Sequence, residues 1–237
     1  MYNCTLISCS SEKLKLIDTG QFEIEVPNSW NYVKQQGYDS FVGQFIADSL
    51  VLNFDFSESG FANHLLPTPN NYLTEETNWM PLSAPYMKEG VTYTSSKDLI
   101  STRNEIMQEK GIVDSNAVRV EPFQKPEIST KEISDTIFMV TLKYKDTSTT
   151  IKVVLPEEIK NHKFEIDTID NVYLRKILYP KERVGKGMIG VYFQDLNSPF
   201  NFQLSGHKYN LKNLKSIIQT FKTIKFKRNI KVASQKH

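Results

Sequence analysis

The sequence predicts an α+β fold, an antiparallel β-sheet with helices packed on its faces, and three stretches carry that prediction. Val191, Phe193, Phe200, Phe202 and Leu204 recur at every second position around a turn at 195–199, the period that sends alternate side chains to one face of a strand. Directly after them Leu211, Leu214, Ile217, Ile218, Phe221 and Ile224 recur at three and four, the apolar stripe of a helix predicted over 211–226. Near the start, Phe22, Ile24 and Val26 alternate with Glu23 and Glu25, a half-buried strand. A hairpin and a helix with one apolar face each bury both by laying the helix across the sheet.

The remaining elements follow in order. Pro27-Asn28-Ser29 breaks the first strand and Trp30 starts a second extended piece. Residues 38–46 and 50–56 read as a hairpin around Ala47-Asp48-Ser49. Residues 57–93 are rich in Pro, Asn, Thr and Ser, and a connection that long is expected to be an insertion or a functional surface loop. A helix is predicted over 97–110, with Ser95 and Asp98 as a capping box, a face of Leu99, Ile100, Ile106 and Met107, and Gly111 as its stop. Pro122 and Pro126 mark 121–135 as a loop. Residues 137–144 and 149–155 are strands of a second hairpin, and 173–179 adds another before Pro180. No internal repeat interrupts the pattern, so the strands are expected to run on as one sheet system. The expected organisation is an N-terminal tether over 1–19, a single domain over 20–228 with an insertion at about 57–93, and a basic tail over 229–237.

The totals narrow the function classes. A compact chain of 237 residues buries roughly 70–75% of its unfolded surface and needs no disulfide or metal scaffold. A net charge of +2 with mixed acids and bases argues against a dedicated nucleic-acid binder. Both cysteines, Cys4 and Cys9, lie in the first nine residues, which excludes thiolate zinc sites and cysteine nucleophiles from the body. Leu6-Ile7-Ser8-Cys9 fits a bacterial lipobox, and the small polar Ser10-Ser11-Glu12-Lys13 suits a tether after a lipidated Cys9. The stretch before it lacks a basic region and a full apolar core of roughly 7–15 residues. The expectation is therefore a leader encoded upstream of Met1, or else a cytoplasmic protein with a chance match. A lipidated Cys9 anchors a protein to a membrane without spanning it.

Several pieces together resemble one family: "FEIEVPNSW", "YDSFVGQFI…LVLNFDFSESGF", "YPKERVGKGMIGVYF" and "FNFQLSGHKYNLKNLKSIIQTFKTIKF". They look like uncharacterised envelope proteins of Bacteroidota-type bacteria with a PsbP-like fold, an antiparallel sheet between helices. The resemblance covers about 20–60 and 170–226. It implies a PsbP-like α/β/α sandwich, a lipoprotein of the cell envelope and a binding role. It implies no catalytic residue, and the photosystem and GTPase partners of characterised members are not carried over.

Motifs with chemical potential are each matched by a simpler reading. Gly185-Lys186-Gly187-Met188-Ile189-Gly190 is a literal G-x-G-x-x-G, but a β-run follows it where a dinucleotide site needs a helix. Its glycines let a strand run close to its neighbour. His64, His162, His207 and His237 are far apart with no i+2 to i+5 partner, so no metal or other cofactor is expected. Glu157-Glu158 and Asp167 with Asp170 sit beside turns, where solvated carboxylates are common. The basic, acid-free 222–236 stretch reads as a helix face followed by a solvated tail. The best functional candidates are the aromatics Phe61, Tyr72, Trp79 and Tyr86, which either line a glycan or peptide groove or pack the insertion onto the sheet. The leading expectation is a non-catalytic envelope module with a protein or glycan partner. The alternatives are a hydrolase that uses Asp55, Asp39 or Glu58 with His64, and a cytoplasmic partner-binding protein.

Overall fold

The computed structural model describes residues 13–47, 50–80, 87–95, 97–181, 187–207 and 213–227. The strands are β1 (Leu14–Asp18), β2 (Phe22–Pro27), β3 (Asn31–Lys34), β4 (Phe41–Ala47), β5 (Leu50–Ser57), β6 (Val91–Thr94), β7 (Arg119–Pro122), β8 (Glu127–Ser134), β9 (Ile137–Tyr144) and β10 (Thr147–Val154). They continue with β11 (His162–Ile169), β12 (Tyr173–Pro180), β13 (Ile189–Asp195), β14 (Asn201–Gly206) and β15 (Lys225–Phe226). The helices are α1 (Pro69–Thr74), α2 (Leu99–Lys110), α3 (Glu157–Lys160) and α4 (Leu214–Lys222). The class is mixed α+β, dominated by antiparallel sheet.

The chain forms two compact units, one from residues 1–66 and 161–237, the other from 67–160. In the first, seven antiparallel strands run in the order β11-β12-β13-β14-β5-β4-β3. One face of that sheet carries Phe45, Leu52, Phe54, Phe56, Ile177, Val191, Phe193, Phe200, Phe202 and Leu204. A second sheet, β1-β2-β15, and helix α4 cover this face. Phe22 of β2 is the keystone. It is fully buried, with its ring centroid 4.9 Å from Phe202 and 5.1 Å from Phe54, both edge-on, the geometry aromatic quadrupoles favour. From α4 come Ile217 and Phe221, buried, with Leu214 and Ile218 packed at the margin. The predicted stripe is therefore the buried one, although the helix stops at Lys222. Beyond it Phe226 joins β2 as a strand and sits 5.0 Å from both Phe193 and Phe200.

The second unit holds a meander, β10-β9-β8, and a parallel pair, β6-β7. Leu73, Val140, Val153 and Leu155 form its core, and a neighbouring cluster centres on Leu142 and Tyr144. This differs from the expected single sheet system: the apolar face of the β9–β10 hairpin is consumed inside the inserted segment, which is 67–160 and not 57–93.

Four local expectations need correction. Residues 14–18 belong to no loose tether; β1 pairs along its whole length with Glu23–Pro27 of β2. Its Leu14 and Leu16 point outward while Lys15 and Ile17 are half-buried, so its pattern reads backwards. The predicted 121–135 loop contains β8, almost wholly exposed and polar, an edge strand protected by Lys131 and Glu132. Strand β11 escaped because its inward face is likewise partly polar. Asp98 alone caps α2, accepting from Ile100 and Ser101 N–H, and Ile100 is exposed, not on a buried face. Cys9, Asn210, Leu211 and the 229–237 tail lie outside the described residues.

Candidate functional site

Two polar places in the first unit compete for a functional role. One is where the chain leaves β5 and lies as a strap, residues 57–66, against the other face of the seven-stranded sheet. Strand alternation puts Lys176, Tyr192 and Asn201 on that face, because their neighbours Ile177, Val191 and Phe202 are in the core. Asn201 is 2% exposed, and its side-chain NH2 donates to the Gly60 and Ala62 carbonyls at 3.0 and 3.1 Å. Its Oδ1 accepts from Ala62 N–H at 3.0 Å. Lys176 is also buried, and its Nζ donates to the carbonyls of His64 at 2.6 Å and Leu66 at 2.8 Å. Nζ also lies 5.4 Å from the Tyr192 ring centroid. The His64 ring stacks on Tyr192 at 4.9 Å. Gly190 permits the strap to sit down: a Cβ there would come 2.9 Å from Leu65 Cδ1 and from Ser205 Cβ. The glycine pattern in "GMIG" is thus a packing device, as its β context implied.

Burial pushes the Lys176 ammonium down to about 8. Burial, then the Lys176 charge, holds the His64 imidazole below its usual value, and burial raises the Tyr192 phenol. The site still resembles a catalytic cluster only in composition, because Lys176 and Asn201 spend their donors on the strap's own backbone. The lysine has a measurable consequence. A base with a folded-state value below its unfolded value of about 10.4 leaves the unfolded chain binding more protons between the two, so stability rises with pH there. Unfolding free energy is expected to rise by about 2 kcal/mol from about pH 7.5 to 9.5. Urea titrations at the two pH values check this, and Lys176→Met should flatten the rise. His64 is neutral throughout that window, and the raised tyrosines titrate above it.

The second place is an open cleft of about 600 Å³ at the end of the same sheet. It lies between the β3–β4 connection, residues 35–40, the turn after β5 with Glu58 and Ser59, and Gln21 from the β1–β2 turn. Its floor is Phe41 and Phe56, paired across β4 and β5 and edge-on at 6.4 Å. Gln35 N–H donates to the Val42 carbonyl at 3.1 Å and closes the connection. The turn admits only glycine at 37, since a Cβ would stand 2.1 Å from the Ser40 carbonyl oxygen. Gln35, Gln36, Tyr38, Asp39 and Glu58 are all exposed, and Tyr38 projects fully into solvent. The Lys34 ammonium lies 5.6 Å from the Phe41 ring centroid.

The structure distributes the predicted site residues as follows. Tyr72 and Trp79 pack against the second unit's core, Trp79 touching both of its clusters. Phe61 is exposed in the first unit, and Tyr86 lies outside the described residues. Asp39 and Glu58 share the cleft, whereas His64 is on the strap and Asp55 stands on β5 between Val42 and Gln203. Among the described residues no group of acids, histidines or cysteines is arranged to hold a metal. Asp167 is taken by Arg175 and Glu157 by Lys160, and in the described part of the basic stretch Lys222 is paired with Glu165 and Lys227 with Asp18 and Glu23. Sequence reasoning missed Gln35, Gln36 and Tyr38 because it ran β4 back to Tyr38. The signal was present in Gln35-Gln36-Gly37, a turn composition between two strands. No protein-family model matches the chain, and no curated protein matches it.

Proposed function

We propose that the protein is a non-catalytic binding or accessory module of the bacterial cell envelope, built on a PsbP-like architecture and anchored through a lipid on Cys9. The observation that carries the binding role is the contrast between the two polar places: the Lys176–Asn201 groups are occupied by their own chain, while the cleft presents amides, carboxylates and a tyrosine outward. Support for a PsbP-like arrangement is the long antiparallel sheet with α4 laid across one face after its last hairpin. The lipobox at Leu6–Cys9 supports the anchor.

Labelled palmitate is the direct test of the anchor, using protein expressed in a bacterium from its native open reading frame. Label in the unaltered chain and none in Cys9→Ala is the expected pattern; unlabelled protein in the soluble fraction overturns the anchor. One observation favours a second reading, hydrolysis, because Asp39 and Glu58 line the same cleft, and carboxylate pairs cleave glycosidic bonds. Turnover abolished by Asp39→Asn or Glu58→Gln would establish it in place of simple binding.

A further inference from the structure

We infer that the cleft at residues 34–41 is a site for uncharged carbohydrate, with Tyr38 as its stacking platform. This rests on the binding reading above and names its ligand class. The cleft's size falls within the range of about 300–1,000 Å³ that small-molecule sites occupy, and being open it admits one end of a longer chain.

The lining chemistry selects the class. A sugar ring offers neighbouring hydroxyls that donate and accept at once. Gln35 and Gln36 amides do the same, and the Asp39 and Glu58 carboxylates each accept from two hydroxyls. One ammonium against two carboxylates disfavours phosphate, sulfate or uronic-acid ligands. That ammonium, on Lys34, is held over the Phe41 ring. Tyr38 supplies what polar side chains lack, a flat apolar surface on which the C–H face of a pyranose packs while its hydroxyls reach the amides. Binding needs little ordering of the backbone: the Gly37 turn and the Gln35–Val42 hydrogen bond fix the connection on a sheet whose inner face carries the ring cluster around Phe54 and Phe56.

The full chain, labelled with 15N, is titrated with three neutral probes, cellotetraose, maltotetraose and tetra-N-acetylchitotetraose, and with polygalacturonate as the anionic control. At least one neutral probe is expected to shift the side-chain amide signals of Gln35 and Gln36 saturably. Tyr38→Ala should weaken it about tenfold or more with unchanged thermal stability, whereas Tyr38→Phe and Lys34→Met keep affinity within about twofold. No shift with any neutral probe, preference for polygalacturonate lost in Lys34→Met, or full affinity in Tyr38→Ala overturns the proposal. Saturable binding with cleavage of the probe, abolished in Glu58→Gln, keeps the sugar site and overturns the non-catalytic reading instead.

Discussion

Asn201→Ala is expected to lower the unfolding free energy of the first unit by about 4 kcal/mol. The loss exceeds that of an ordinary hydrogen bond because the substitution strands partners it cannot remove. The Ala62 N–H and carbonyl, both meeting Asn201 in the interior, would have no water to turn to, and the Gly60 carbonyl would lose its donor as well. An unsatisfied buried group costs about 1–3 kcal/mol. Asn201→Asp separates hydrogen bonding from side-chain volume. It keeps the acceptor for Ala62 N–H but turns an oxygen toward two carbonyls, so it should also destabilise. Asn53→Ala, on the same sheet but exposed, should change stability by less than about 0.5 kcal/mol. The two tryptophans make the measurement selective: Trp30 is buried in the first unit and Trp79 packs in the second. Urea titration followed by Trp30 fluorescence in a Trp79→Phe background reads the first unit alone. An Asn201→Ala loss under about 1 kcal/mol would mean that the strap is held by something other than this amide.

Phe22→Ala is expected to cost about 4 kcal/mol by the same measurement. Its ring fills the centre of the space between β2 and the seven-stranded sheet, against Phe45, Phe54, Phe56 and Phe202. Truncation removes the transfer energy of the ring and leaves a hole that rigid aromatic walls close poorly. Phe22→Leu refills most of that space and should cost about 1.5 kcal/mol or less. A shift of the midpoint with an unchanged slope would assign the loss to the core and not to the unfolded ensemble.

What was readable in advance follows from where each element's information is stored. Strands β2, β5, β9 and β14, and the face of α4, declare themselves by period because one side of each is the more deeply buried, and β13, buried on both sides, shows it through Val191 and Phe193. Strands β1, β8 and β11 are edge strands whose partners are backbone groups, and their side chains carry little record of pairing. The division at Pro67 was hidden for a related reason. The 137–155 hairpin has the same alternation whichever sheet it packs against, and only the coordinates show that Leu73 and Leu155 close its core. The cleft was half legible. Asp39 and Glu58 were singled out for chemistry, but as partners of His64, whose place on Tyr192 is set by residues over a hundred positions away. Tyr38 is not legible as an exposed residue of the β3–β4 connection when β4 is read as beginning there.

The pairing of β15 with β2 has a bearing on how this chain is made. Phe22 cannot acquire its full surroundings until Ile217, Phe221 and Phe226 have left the ribosome, some two hundred residues later. Until then the nascent strands of the larger sheet present a greasy, uncovered side while the 67–160 segment, complete in itself, is free to fold ahead of them. Such late closure prolongs the interval in which that apolar side stays exposed during folding.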